Sequence, residues 1–576
     1  MSSNKEIKSE KILLKDVLKM WFRIPEYQRP YVWGYDEIHD LLDDLTFANK
    51  EKPDSEYFLG SFVFQSKEPS PETGQPFEEN DLLDGQQRMT TILLLLAVIR
   101  DLSEINGIKR KCQEYIFQES DPIENIPERT RLVFSIRESV QTFIEEYVKE
   151  EGATLNEQEL KKLIKTSEDV SIVNMAKAIT VIINFFTENP EHSPDELLPF
   201  IVNKVLMIYV ATEDLEDAFR LFMILNDRGV PLRNSDILKS MNLGALENQS
   251  DKLRYAKLWE KAEGELGEDF DRFLSHIRTI LVKEKARLNL LQEFEDKIYN
   301  PKEKDKKTGE KKPILLTKGI ETFNLIEKYL EHYRTVFSFQ SYDEVGDFRL
   351  DNLLKVMLYG LPSTDWQPPL LRYFEKFKYE NLFDFVYKLD NKLSADWISQ
   401  YSPTYRIESM NTIIKSIDSA KNTDSVFTSG CFDIDQESFS RVIDGPVYGR
   451  RFARYVLLKL DYYYQNHDQR MNFETLSVEH ILPQNPASDS QWIDDFSIED
   501  REKLTNTIGN LVLITRRKNT SQGRLDYIDK KERYFSKNID TCPNSLRVLN
   551  NYDQWTPSEL LSNHSEVTSL LIKKYT

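Results

Sequence analysis

The longest apolar run in the chain, Ile92–Ile99, follows directly on a strand-like segment and a polar turn in LLDGQQRMTTILLLLAVIR. A bilayer span needs about 20 apolar residues, so this run is too short to cross a membrane and reads as part of a helix over Thr90–Leu102. The strand before it ends at Leu83, which makes the segment a hairpin feeding a helix with Asp84-Gly85-Gln86-Gln87-Arg88 at the junction. The opening MSSNKEIKSEK is polar and carries no apolar signal core. Cys112, Cys431 and Cys542 are far apart and form no CxxC pair, which excludes a disulfide framework or a thiolate zinc site and suits a reducing compartment. The chain reads as soluble and cytoplasmic, with no membrane partner.

At 576 residues, a prior of about 100–200 residues per domain predicts three or four domains. Lys plus Arg (76) minus Asp plus Glu (96) gives −20. That balance argues against a protein that coats polyanions along its whole surface. It leaves room for a local basic site, because salt confines charge effects to roughly 10 Å.

Short strands and helices alternate at the start. Trp21–Pro25 reads as a strand, Tyr35–Lys50 as a helix with Ile38, Leu41, Leu42 and Leu45 on one face, and Tyr57–Gln65 as a strand rich in aromatic and β-branched residues. From about Arg129 to Asn203 the periodicity is helical. Lys204–Thr212 then returns as an apolar strand that should join the first sheet, and Leu215–Leu225 as a helix stopped at Asn226-Asp227-Arg228-Gly229. The first domain is therefore expected over 1–245, a helical connector over 246–430, and a last domain over 431–576. Arg450, Arg451 and Arg454 precede an apolar helix in that last segment.

Two constellations carry chemistry. In SVEHILPQNP, His480 stands beside Glu479 at the end of a short strand stopped by Pro483. Phosphodiester hydrolysis needs a base for water and a divalent cation on the phosphate. His480 suits the base, and Glu479 with Asn519 offers hard oxygen ligands for Mg²⁺. Asn510 is better suited to tying the loop, and Asn506 is a second candidate asparagine. Nine basic residues between 501 and 533 face four acidic ones, a local excess of five, with Arg524 and Lys530 among the candidates for phosphate contact.

The second constellation is the turn Asp84–Arg88. Gly85 allows close backbone approach, and the following helix N-terminus presents free N–H groups to an anion. Arg88 suits phosphate, Gln86 and Gln87 donate or accept, and Asp84 suits Mg²⁺ or water. The competing structural use is a hairpin end whose aspartate caps a helix. IPEYQRPYVW interleaves Tyr27, Tyr31 and Trp33 with Arg29, which fits base stacking and phosphate contact or a hydrophobic cluster around a buried arginine.

The ordered set Glu-His-x-x-Pro, Gly-Asn-Leu and a later Asn resembles the HNH (His-Me finger, ββα-metal) nucleases. It is more closely similar to the C-terminal nuclease domain of GmrSD-type, type IV modification-dependent restriction enzymes. IPEYQRPYVW, YFLGSFVFQ, LLDGQQRMTTILLLL and LNDRGVPL resemble the N-terminal half of the same family. That resemblance implies an α+β, mostly helical protein with a ParB/sulfiredoxin-like N-terminal domain and an HNH C-terminal domain. It implies His480 as general base, Asn519 at Mg²⁺ (or Mn²⁺), and a DGQQR turn that binds and hydrolyses a nucleoside triphosphate. Restriction of foreign, modified phage DNA would be the role, and a homo-oligomer is compatible with it. The alternative is a nucleotide-dependent DNA-binding sensor or switch whose HNH domain is degenerate. One departure from the compact HNH pattern is the long gap between His480 and Asn510.

Overall fold

The computed structural model describes residues 8–25, 28, 30–67, 79–123, 126–134, 138–212, 233–304, 309–338, 347–471, 476–515, 524–535 and 542–576. Arg29, Asn519 and the Asn226–Gly229 turn lie outside the described residues. The protein is α+β and mostly helical. It divides into two compact units, one of residues 1–266 with 318–320, the other of 267–317 with 321–576. The expected connector therefore splits between the two units. From Gly267 onward its helices belong with the C-terminal segment.

The first unit is built on a mixed six-stranded sheet. Its strands are β1 (Lys8–Leu13), β2 (Phe22–Ile24), β3 (Tyr57–Lys67), β4 (Glu79–Asp84), β5 (Leu132–Phe134) and β6 (Val205–Thr212). They lie in the order β1-β6-β3-β4-β2-β5. The late apolar strand does enter the first sheet, where β6 runs parallel to β3 and antiparallel to β1. β1 and β5 are the strands that periodicity does not reveal. KSEKIL is charged and exposed, which protects a sheet edge from pairing with another chain. LVF is three residues inside a helical stretch, too short to show a period.

Helices α1 (Tyr35–Glu51), α2 (Gln86–Leu102) and α3 (Val170–Glu188) share a core with the sheet. In α1 the buried residues are Ile38, Leu41, Leu42, Leu45 and Thr46, a single stripe. By contrast α2 is buried from Met89 to Asp101 on every side, as a helix apolar all round must be. Among the described residues α3 alone is long and apolar enough to cross a membrane. Its Ile172, Met175, Ala176, Ile179 and Ile182 are instead buried against the sheet's core.

In the second unit an antiparallel hairpin, β7 (Leu476–His480) with β8 (Leu511–Thr515), separates two cores. Leu511 and Leu513 pack into a helical core with α4 (Ala453–Tyr464), while Val512 and Ile514 pack with Ile481, Trp492, Tyr527 and Trp555. Strand alternation assigns the faces. His480 lies opposite Leu511, and Glu479 opposite Val512. Helices α5 (Tyr527–Phe535), α6 (Pro543–Asn551) and α7 (Pro557–Tyr575) follow β8 among the described residues.

Candidate active sites

At the end of β4 the chain turns through Gly85, whose φ of +87° is left-handed. A Cβ there would lie 2.9 Å from the Phe62 Cβ, so both conformation and space require glycine. The turn starts α2 at Gln86 and sets Asp84 and Arg88 on either side of the junction. Arg88 donates from Nη1 to the Ser61 carbonyl at 3.1 Å. Its guanidinium occupies the space above Gly60, where a Cβ would stand 2.9 Å from Nη1. Gly60 has a φ of +128° and lies at an irregularity of the β3–β6 register. Gly60, inside YFLGSFVFQ, thus makes room for Arg88. Its signal was a lone glycine within a strong strand.

Burial pushes the Asp84 carboxyl up to about 6, and Arg88 and a backbone N–H bond at Gly85 only partly offset it. Burial also lowers Arg88, against the charge of Asp84. Tyr57 donates to Asp44 at 3.1 Å, and burial with that carboxylate lifts its phenol to about 12. Asp84, Arg88, Tyr57 and Asp44 form one electrostatically connected group.

Gln87 is placed differently from expectation. Its Oε1 accepts from the Val32 N–H at 2.8 Å, and its Nε2 donates to the Pro30 carbonyl at 2.9 Å. Its amide is spent on holding the IPEYQRPYVW loop. Gln28 does the same from the other side, donating to the Leu83 carbonyl at 2.8 Å. Gln86 is buried. Tyr31 is buried too, with its hydroxyl 2.8 Å from Thr91 Oγ1, so it is part of the cluster rather than a stacking platform.

In the second unit His480 ends β7 and is 9% exposed. Its Nε2 lies 3.3 Å from Asn506 Oδ1, and Gln484 Nε2 donates to the same oxygen at 3.1 Å. An amide oxygen can only accept, so Nε2 carries the proton and the lone pair lies on Nδ1. The Tyr448 ring packs edge-on against the imidazole, centroids 4.1 Å apart. Burial holds His480 down at about 4, and the nearby Lys530 charge adds to this against the Asn506 bond. The imidazole is neutral across the physiological range.

Glu479, expected beside His480 at a metal, faces the other way. Its Oε1 takes a 2.7 Å bond from Lys530 Nζ, which also donates to the His480 carbonyl at 2.7 Å. Lys530 is 3% exposed. It clamps the end of the strand and has no face for a phosphate. Its pairing with Glu479 is the way two buried charges stay solvated. Arg524 is exposed.

Asn510 is fully buried and ties the loop after the histidine. It accepts from Leu482 N–H at 2.8 Å and donates to the carbonyls of Leu482 and Thr505 at 2.9 and 2.8 Å. Gly509 beside it lets α7 approach, since a Cβ there would stand 2.5 Å from His564 Cα. Among the described residues no three His, Cys, Asp or Glu side chains gather as a metal cluster.

Residues 9–243 match the GmrSD restriction endonuclease N-terminal domain, and residues 434–569 match the GmrSD restriction endonuclease C-terminal domain. The chain belongs to the GmrSD restriction endonuclease family. Both geometries just described lie within its GmrSD matches, the Asp84–Arg88 turn in the first and the His480–Asn506 pair in the second. A restriction nuclease acting on DNA is the role these domains support. The comparison with curated proteins gives no match.

Proposed function

We propose that this GmrSD-family chain is a nucleotide-regulated, Mg²⁺-dependent endonuclease of foreign DNA, modified phage DNA in particular, with an HNH-type C-terminal domain. The observation that carries the reading is a neutral, buried His480 whose Nε2–H is fixed by Asn506, leaving Nδ1 to accept a proton from water. Lys530 holds the backbone of the histidine in place, and Tyr448 closes one side of the ring. A divalent cation, when bound, supplies charge stabilisation at the scissile phosphate. The described carboxylates do not provide its donor set.

In the first unit Arg88 and the N-terminus of α2 would receive the phosphates of a nucleoside triphosphate, and Asp84 would orient a metal or a water. The Arg88 cradle over Gly60 and the uplifted Asp84 support that assignment. A second reading, a nucleotide-dependent DNA sensor with a degenerate nuclease, is favoured by the pairing of Glu479 with Lys530.

Cleavage of plasmid and phage DNA, modified and unmodified, with Mg²⁺ and with or without each triphosphate, decides between them. The endonuclease reading expects nicked or linear product that disappears with EDTA. Binding without cleavage under every condition would establish the sensor.

A further inference from the structure

Three cations of the basic segment that the sequence offers as a DNA surface already have carboxylate partners. Lys503 pairs with Glu499 at 2.5 Å, Lys530 with Glu479 at 2.7 Å, and Lys531 with Asp553 at 3.0 Å. A different group of cations follows directly on the residue that touches the histidine. Tyr448, whose ring touches His480, belongs to a tight turn whose Val447 and Tyr448 N–H groups both donate to the Asn506 carbonyl, at 2.8 and 3.1 Å. The turn continues through Gly449 at a φ of +79° and closes with Arg450 N–H on the Val447 carbonyl at 3.1 Å. Arg450, Arg451 and Arg454 then follow within six residues of Tyr448, and all three are exposed.

Among the described residues no carboxylate forms an ion pair with any of the three. Arg454 lies in the first turn of α4, which contains no acidic residue, so its charge faces the positive end of the helix dipole. The acidic neighbour before the turn, Asp444, is paired with His564 at 3.2 Å, and Arg441 bonds to Ser438. Three exposed guanidiniums on and just after a turn whose Tyr448 touches His480 suit a polyanion that arrives from outside.

We infer that the Val447–Arg454 turn is the phosphate clamp of the nuclease site: Arg450, Arg451 and Arg454 grip DNA backbone phosphates while Tyr448 and Asn506 register the turn against His480. This deepens the endonuclease reading and rests on it. Each phosphate contact releases counterions and steepens the fall of log K with log salt by about 0.9 for duplex DNA.

The test measures binding of a fluorescein-labelled plain duplex to full-length protein in EDTA, by anisotropy over a salt series. Replacing all three arginines by glutamine should make the salt slope shallower by about 2 to 3 and weaken low-salt binding roughly 10- to 100-fold. The triple arginine-to-lysine protein should recover most of the slope. A control with Lys503→Gln and Lys531→Gln, whose charges are already paired, should keep the slope of the parent. A triple glutamine variant with the parent's melting temperature and the parent's slope overturns the clamp. A parent protein that binds this duplex with no salt dependence overturns it as well. If His480→Ala still cleaves while the glutamine variant loses its slope, the histidine assignment fails and the clamp stands.

Discussion

The Asp84 and His480 sites solve the same local problem in opposite directions. Each ends a strand, each buries a titratable side chain, and in each an amide side chain from elsewhere holds the neighbouring backbone. Burial favours the neutral form in both cases. It raises the Asp84 carboxyl to about 6 and lowers the His480 imidazole to about 4. For the base proposed at His480 the neutral form is the working one, and burial favours it at neutral pH. For a carboxylate that must meet a cation the neutral form is idle, so Asp84 remains sensitive to pH just below neutrality.

The strongest way to break the comparison is His480→Ala. Loss of a general base costs about 10²–10⁴ in rate, and nicking by a purified, folded variant at near the parental rate would remove His480 from catalysis. Nucleotide binding by the same protein should be unchanged, because the two sites belong to different compact units.

Asn506→Ala sharpens the C-terminal side. It frees the tautomer of His480, and loss of such an orienting partner costs about 10–100-fold in metal sites. Asn519→Ala should also slow cleavage, with partial relief by raised Mg²⁺ or by Mn²⁺ if that side chain is a metal ligand. A silent Asn506→Ala beside a crippled Asn519→Ala would transfer the asparagine role away from the histidine.

On the N-terminal side Arg88→Ala should weaken triphosphate binding. A hydrogen bond to a charged group is worth about 1.5–3 kcal/mol, or roughly 10- to 100-fold in affinity. Calorimetric titration beside a thermal melt separates lost contact from lost fold. If the parent binds no triphosphate at all, the turn belongs to DNA or protein recognition instead.

The opposite pKa shifts predict opposite pH effects. His480 sits below its unfolded value, so its contribution to stability is fully present above about 6.5 and is lost as pH falls through about 4. Asp84 sits above its unfolded value, so its contribution is fully present below about 3.8 and is lost as pH rises through about 6. Asp84→Asn should therefore raise the melting temperature of the protein at pH 8 while abolishing the rise of triphosphate hydrolysis through about pH 6. DNA cleavage should keep its acid limb near pH 4 rather than near the ordinary histidine value. An Asp84→Asn protein no more stable than its parent at pH 8 would show that the carboxyl is not held as described.

The smallest expected effect is structural. Asn510→Ala leaves the Leu482 N–H and the carbonyls of Leu482 and Thr505 without their partner inside the core, and an unsatisfied buried group costs about 1–3 kcal/mol. Denaturant titration reads that loss directly, and cleavage by the folded fraction should persist.

Local periodicity was enough to read much of the scaffold. The stripe Ile38, Leu41, Leu42 and Leu45 dictated α1, aromatic and β-branched content dictated β3, and the apolar run Ile92–Ile99 dictated a helix at α2. The need for glycine at 85 was legible as close backbone approach at a strand-to-helix junction, and the 2.9 Å a Cβ would have to Phe62 bears that out. These features are set by residues a few positions apart, where sequence spacing and spatial contact coincide.

The use of each polar side chain was decided only by closure of the tertiary structure. Gln87 looks like a ligand donor in sequence, yet its partners are backbone groups 54 or more residues away. Glu479 and His480 are neighbours in the chain, but β7 turns them to opposite faces of the hairpin, one toward Lys530 and the other toward Asn506 and Tyr448. Arg88 found its seat over Gly60, on a strand that precedes it by more than twenty residues. Residue type and spacing fix which groups a strand end carries. Which of them face solvent, substrate or one another depends on segments brought together by burial of the apolar core, and that long-range choice leaves no local pattern to read.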